Sequence, residues 1–207
     1  MADVDALTSH FWWRSGWRPD RSYLTWHVLP DARLVAALEP LRGVLADAGA
    51  GFLSVVEPGR LHMTGPGVGF ADEIPEPHVE AMVRAARGYL AALAPFEAAV
   101  GGPVVGRDGV LVPVEAERLA TVRRTLRAAM RAVGLEPPGA DDEPYRPHVT
   151  LAYATGPGSR ARLVRELDGV DRPVAPAQIA AVHLLALRML PAGYDWQVRA
   201  VVPLGAA

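Results

Sequence analysis

Apolar residues recur at helical spacing in three long stretches of the chain. Leu34, Ala37, Leu38, Leu41, Leu45 and Ala48 fall on one face of a helix that Asp31 can cap and the Gly49 to Gly51 run can end. Val79, Met82, Val83, Ala86 and Leu90 stripe a second helix over 76–93. A third helix spans 115–133 and closes at Gly134, and a short fourth spans 159–167. Between them lie segments rich in branched, aromatic and alternating residues, which read as strands over 23–29, 52–56, 60–64, 96–100, 110–114, 148–154, 179–190 and 196–203. Pro58-Gly59, the Gly-rich stretch 101–109 and residues 191–195 supply turns, and Pro137 to Pro144 form an acidic loop.

Helices and strands alternate irregularly, and the last two strands form a hairpin. That order predicts an α+β fold with mostly antiparallel sheets flanked by helices. Residues 1–21 read as an N-terminal extension and 22–207 as a single domain. One pattern occurs twice: Arg60-Leu-His62-Met-Thr64 and Arg146-Pro-His148-Val-Thr150. The repeat implies two related halves.

The repeated segment carries the candidate chemistry. Side chains on a strand alternate faces, so Arg60, His62 and Thr64 should point one way, as should Arg146, His148 and Thr150. Two such faces opposed across a cleft would present two cations, two hydroxyls and two imidazoles to one ligand. Arg and Thr donate hydrogen bonds to phosphate oxygens. Displacement at phosphorus needs a base for the incoming hydroxyl and an acid for the leaving oxygen. A pair of histidines near pKa ~6.5 supplies both without a metal.

Composition narrows the chemistry further. All 21 basic residues are Arg and there is no Cys. Lysyl nucleotidylation, Schiff-base chemistry and thiol nucleophiles are thereby excluded, as are disulfides and thiolate metal sites. The net charge of -2 provides no global basic field for nucleic acid. No apolar stretch approaches the ~18 residues that span a bilayer. Residues 1–17 lack the pattern of a secretory signal, so a cytoplasmic location is expected.

The segments Leu61-His-Met-Thr64 and Pro147-His-Val-Thr-Leu151 resemble the paired His-x-Thr signatures of the 2H phosphoesterase superfamily. Within it the chain looks most like the bacterial 2′-5′ RNA ligase-like proteins, also called RNA 2′,3′-cyclic phosphodiesterases. The resemblance runs over roughly Ser22 to Leu204 and includes the order of elements, the position of Gly69 and the terminal hairpin. It implies a bilobal protein with two pseudo-symmetric halves around a central cleft. His62 and His148 would then be general acid and base, and Thr64 and Thr150 the phosphate ligands. The expected partner is a nucleotide or RNA end bearing a cyclic or 2′-linked phosphate. The chain is expected to act as a monomer, with no cofactor. Some family members also join RNA ends through 2′-5′ linkages without ATP, in keeping with the missing Lys.

Two departures stand out. The first motif runs into Gly65-Pro66-Gly67 where strand-forming residues are usual. In the second, Tyr153 occupies the position where the family often has Arg. Tyr153 either stacks on a base or sugar or packs against the cleft wall. These departures keep open an alternative: a non-catalytic module that binds an RNA end or phosphorylated ligand in the same cleft. A third reading is a metal-dependent hydrolase using His27, His62 and His148. Elsewhere, His10, His78 and His183 read as surface or packing residues. Arg123, Arg124, Arg127 and Arg131 on the third helix could form a backbone-binding patch or a solvated face. Trp12, Trp13 and Trp17, set among Arg14, Arg18 and Arg21, either cap the cleft or pack on the body. Tyr194 and Trp196 read as packing residues, and Asp141, Asp142 and Glu143 as a solvated loop.

Overall fold

The structure, a computed structural model, describes residues 5–12, 14–140, 144–171 and 175–205. β1 (Tyr23–Val28) leads into α1 (Ala32–Ala48), which Asp31 caps by accepting from the Leu34 amide at 2.8 Å. β2 (Leu53–Val55), a 3-10 turn (Pro58–Arg60) and β3 (Met63–Phe70) follow. α2 (Glu76–Leu90), β4 (Phe96–Ala98), β5 (Val104–Val105), β6 (Gly109–Pro113) and α3 (Glu117–Arg131) make up the middle of the chain. β7 (His148–Ala154), α4 (Arg160–Asp168), β8 (Ala177–Ile179), β9 (Ala181–Leu190) and β10 (Gly193–Pro203) complete it.

Every strand pairing among the described residues is antiparallel, as the order of elements implied. The main sheet runs β10-β9-β1-β3-β7-β6-β5, with β2 paired to the far end of β7, while β4 and β8 form a separate pair. The sheet narrows to one residue pair at its centre, Met63 with Val149. On one side of that junction β3 lies on β1, β9 and β10; on the other, β7 lies on β6, β5 and β2. Helices α2 and α3 pack on each other, and α1 packs on α4 and β7. Their apolar stripes are buried: Leu34, Leu38, Leu41 and Leu45 of α1, Met82, Ala86 and Leu90 of α2, and Leu119, Val122 and Leu126 of α3.

The arginine row on α3 is not a free face. Arg127 is 2% exposed and donates to the carbonyls of Pro138 (2.8 Å) and Gly139 (2.7 Å). Arg123 lies over the Tyr145 ring and Arg124 donates to Thr121. Arg127 thus holds the loop after α3, Arg124 is bonded within the helix and Arg123 packs on Tyr145. Trp13 and the acidic residues Asp141, Asp142 and Glu143 lie outside the described residues.

One strand differs from its expectation. The segment 60–64 reads as a strand, but pairing starts only at Met63 and continues through Gly65-Pro66-Gly67 to Phe70. Arg60 belongs instead to the 3-10 turn, which Pro58 with its fixed φ initiates. The strand tolerates Pro66 because it is bulged. Thr25 faces Gly67 and His27 faces Thr64, so Trp26 alone opposes both Gly65 and Pro66. A bulge residue need not donate to the ladder, so the missing N–H of Pro66 costs little. Gly65 is required for a different reason: a Cβ there would lie 2.7 Å from the Trp26 carbonyl oxygen. Gly65→Ala should therefore force β1 and β3 apart and destabilise the fold by about 1–3 kcal/mol. A urea midpoint equal to that of the wild type would show that the strands yield freely.

Candidate active site

The Met63–Val149 junction orients both motifs. Met63 and Val149 are 1% and 0% exposed, so the pair faces the core. By strand alternation their neighbours face the other side. Continuing the register by one residue sets Thr64 beside His148 and His62 beside Thr150. Each imidazole therefore neighbours the hydroxyl of the opposite half. All four side chains line one cavity of about 280 Å³. β1 contributes to the same wall: Leu24, Trp26 and Val28 face the core, while Tyr23, Thr25 and His27 face the cavity.

Both motif histidines are held alike. Nδ1 of His62 is 2.9 Å from the Arg60 carbonyl oxygen, and Nδ1 of His148 is 2.8 Å from that of Arg146. A carbonyl only accepts, so Nδ1 carries the proton in each ring. Nε2 of the neutral imidazole is then left with a lone pair for proton exchange. The repeated spacing thus uses the Arg residues through their backbone, two positions before each His.

Their surroundings differ. His62 is 8% exposed, and its ring stands edge-on to His27 at 4.8 Å and to Trp196 at 5.2 Å. Burial lowers the His62 pKa, the Arg60 carbonyl opposes that, and His148 adds to it. His27 is 2% exposed, its Nδ1 has no hydrogen-bond partner, and burial followed by His62 holds its pKa well below the ordinary value. His148 is more open to solvent. The three histidines form no group able to hold a metal among the described residues.

The cation positions do not match the strand-based expectation. Arg60, on the helical turn, points into an adjoining cavity of about 180 Å³ that shares His62, Tyr153 and Tyr194 with the first. It pairs with Asp195 at 2.6 Å, donates to the Trp196 carbonyl at 3.2 Å and lies over the Trp196 ring. Arg146 is exposed and its side chain lines neither cavity. Tyr153 is 7% exposed and forms the wall between the two cavities, packed against His10, Phe11 and Tyr194. Burial pushes its phenol pKa far up, and the Tyr194 ring adds to this.

Two cavity-lining residues were not singled out as site residues in the sequence: His10, which reads there as a surface or packing residue, and Arg14. His10 lines the cavity, with Nδ1 at 2.8 Å from Asp108 and Nε2 at 3.0 Å from the Tyr194 hydroxyl. Arg14 also lines it. No motif marks His10, because its partners Asp108 and Tyr194 lie 98 and 184 positions away. The cluster of Trp and Arg in the N-terminal segment was the one available signal.

The fold and the paired His-x-Thr wall define the class. Residues 30–188 match the family model of the 2′-5′ RNA ligase superfamily, and the chain belongs to that superfamily of 2H phosphoesterases. Among solved structures, TT0787 of Thermus thermophilus is similar at 22% identity with a TM-score of 0.68, covering 88% of this chain and 98% of its own. LigT of E. coli in its apo form is similar at 14% identity with a TM-score of 0.66, covering 90% and 99%. LigT complexed with 3′-AMP is similar at 14% identity with a TM-score of 0.65, covering 90% and 100%. These likenesses show the fold. No curated protein sequence matches the chain. No helix among the described residues is long and apolar enough to cross a membrane.

The depressed pKa values of His27 and His62 have a consequence for stability. As pH falls through about 6.5 the unfolded chain takes up protons that the folded chain refuses. Stability is therefore full above that value and declines below it. The urea midpoint should fall between about pH 7.5 and about pH 5.5, and His27→Gln should shrink the drop. An undiminished drop in that variant would assign the effect to other groups.

Proposed function

We propose that this protein is a metal-independent phosphodiesterase that opens a 2′,3′-cyclic phosphate, or cleaves a 2′-5′ linkage, on a small nucleotide or RNA end. One observation carries the reading. Two histidines, each with Nδ1 tied to a carbonyl two residues back, meet two threonine hydroxyls in one cavity. Superfamily membership supports it, as does the existence of LigT complexes with 3′-AMP and with phosphate.

In the proposed reaction Thr64 and Thr150 donate to the non-bridging oxygens. One imidazole removes a proton from the attacking water as the P–O bond to water forms. The P–O3′ bond breaks, and the other imidazole protonates the departing O3′. The product is a 2′-phosphomonoester with a free 3′-hydroxyl. Replacing water by a 5′-hydroxyl gives 2′-5′ ligation by the same proton transfers, with no need for ATP. The cavity sits near the small end of ligand sites, which suits a ribose cyclic phosphate with its base directed outward. The chain is proposed to act as a cytoplasmic monomer of one catalytic domain, residues 22–207.

With EDTA present, the purified protein should open 2′,3′-cyclic nucleotides or a short RNA ending in a cyclic phosphate. His62→Ala and His148→Ala should each lose at least about a hundredfold in rate. The wild-type pH profile should be bell-shaped, with its acid limb below the ordinary histidine value of about 6.5, because His62 is depressed. A wild type that binds these ligands without turning them over is instead a binding module. Activity abolished by EDTA and restored by a divalent ion would replace the two-histidine mechanism with a metal-dependent one.

A further inference from the structure

The N-terminal segment lies along the cavity and is pinned on both sides of Arg14. Upstream, Leu7 is 1% exposed, and its amide donates to the Gly158 carbonyl at 2.8 Å. The Thr8 and His10 amides donate to the carbonyls of Arg107 (2.9 Å) and Ala154 (2.8 Å), extending the end of β7. The Asp108 carboxylate accepts from His10 Nδ1, so Nε2 accepts the Tyr194 proton. Downstream, Trp17 stacks on Tyr23 at 5.4 Å, and Arg21 is fixed by Asp72 and Glu73.

Between these anchors Arg14 turns toward the cavity beside Tyr194. Among the described residues lining that cavity, Arg14 is the one fixed cation, and no Asp or Glu is present. No carboxylate pairs with Arg14 among the described residues, whereas Arg60, Arg21 and Arg188 all have such partners. A phosphodiester arrives as a monoanion, and the bond to the incoming oxygen adds negative charge to its non-bridging oxygens. The imidazole pair carries one mobile positive charge, which passes from acid to base as the proton moves, and hydroxyls carry none. A fixed cation in the wall adds compensation that the proton transfers do not displace.

We propose that residues 5–12 and 14–17 form a binding strap whose Arg14 guanidinium holds the anionic oxygens of the reacting phosphate. The chemistry rests on the phosphodiesterase reading, but the capture of phosphate does not. Arg14 is then a substrate-binding residue, and His10 with Asp108 are positioning residues that hold the strap down.

Arg14→Gln, Arg14→Lys and the wild type should be titrated with inorganic phosphate and with 3′-AMP by calorimetry, and assayed on 2′,3′-cyclic nucleotides. Arg14→Gln should bind phosphate about tenfold or more weakly and lose at least as much in kcat/KM, with an unchanged thermal midpoint. Arg14→Lys should recover part of both. Asp108→Asn should weaken phosphate binding by a smaller factor, as the strap loosens. Equal phosphate affinity in Arg14→Gln and wild type overturns the proposal, and so does a wild type that binds no phosphate. A wild type that binds phosphate but turns nothing over removes the phosphodiesterase reading alone, and the Arg14→Gln titration still decides the strap.

Discussion

The backbone pairing of Met63 with Val149 lies at the centre of the sheet, and among the described residues it is the only pair joining β3 to β7. Both side chains are buried, and burying such groups stabilises by about 1.5–3 kcal/mol each. That burial fixes which face of each strand meets the core. A slip of one residue in either strand would send that strand's histidine into the interior and its apolar side chain into the cavity. The register therefore sets the proton chemistry and the packing together. It also explains why each motif needs a residue between His and Thr: the spacer is the part that packs.

The wall built on this junction has an uneven dielectric. His62 stands against His27 and Trp196 with little access to water, while His148 across the junction is more open. Desolvation favours a neutral imidazole at His62, and the neighbouring His148 adds to that preference. One proton on two rings is the ionisation that an acid-base pair needs. His27 has no hydrogen-bond partner for Nδ1 and sets a second buried ring against His62, away from water.

Much of this was legible in the sequence. The His-x-Thr repeat, the apolar stripes of α1, α2 and α3 and the terminal hairpin are local patterns, and the structure places them as their periodicity implies. The facing of the repeat was legible only in part. The expected facing held for His62, Thr64, His148 and Thr150, but it failed for Arg60, since Pro58 starts a helical turn before β3, and for Arg146, which precedes the start of β7 at His148. The Gly65-Pro66-Gly67 run looked like an interruption because the bulge that accommodates it depends on Trp26 of a different strand. His10 with Asp108 was invisible for the same kind of reason. Their contact spans 98 positions of sequence, and neither residue sits in a motif.

The arginines show where long-range context decides role. With no Lys in the chain, every fixed side-chain cation is a guanidinium. Arg42 is buried on the Val56 carbonyl and pairs with Glu39, Arg127 holds the loop after α3, and Arg199 pairs with Glu76. Each is satisfied within the fold, where a planar fork of donors suits carbonyls and carboxylates. Arg14 stands apart, because its neighbours are the rings of Trp12 and Tyr194 and the cavity itself. Its guanidinium hydrogen-bonds the Tyr194 hydroxyl, and among the described residues that line the cavity there is no carboxylate to pair with it. The field of this cation raises the local concentration of anions. A phosphate entering the cavity would pair with Arg14, the fixed cation among the described residues that line it, and this binds the strap and the two motifs into a single electrostatic unit.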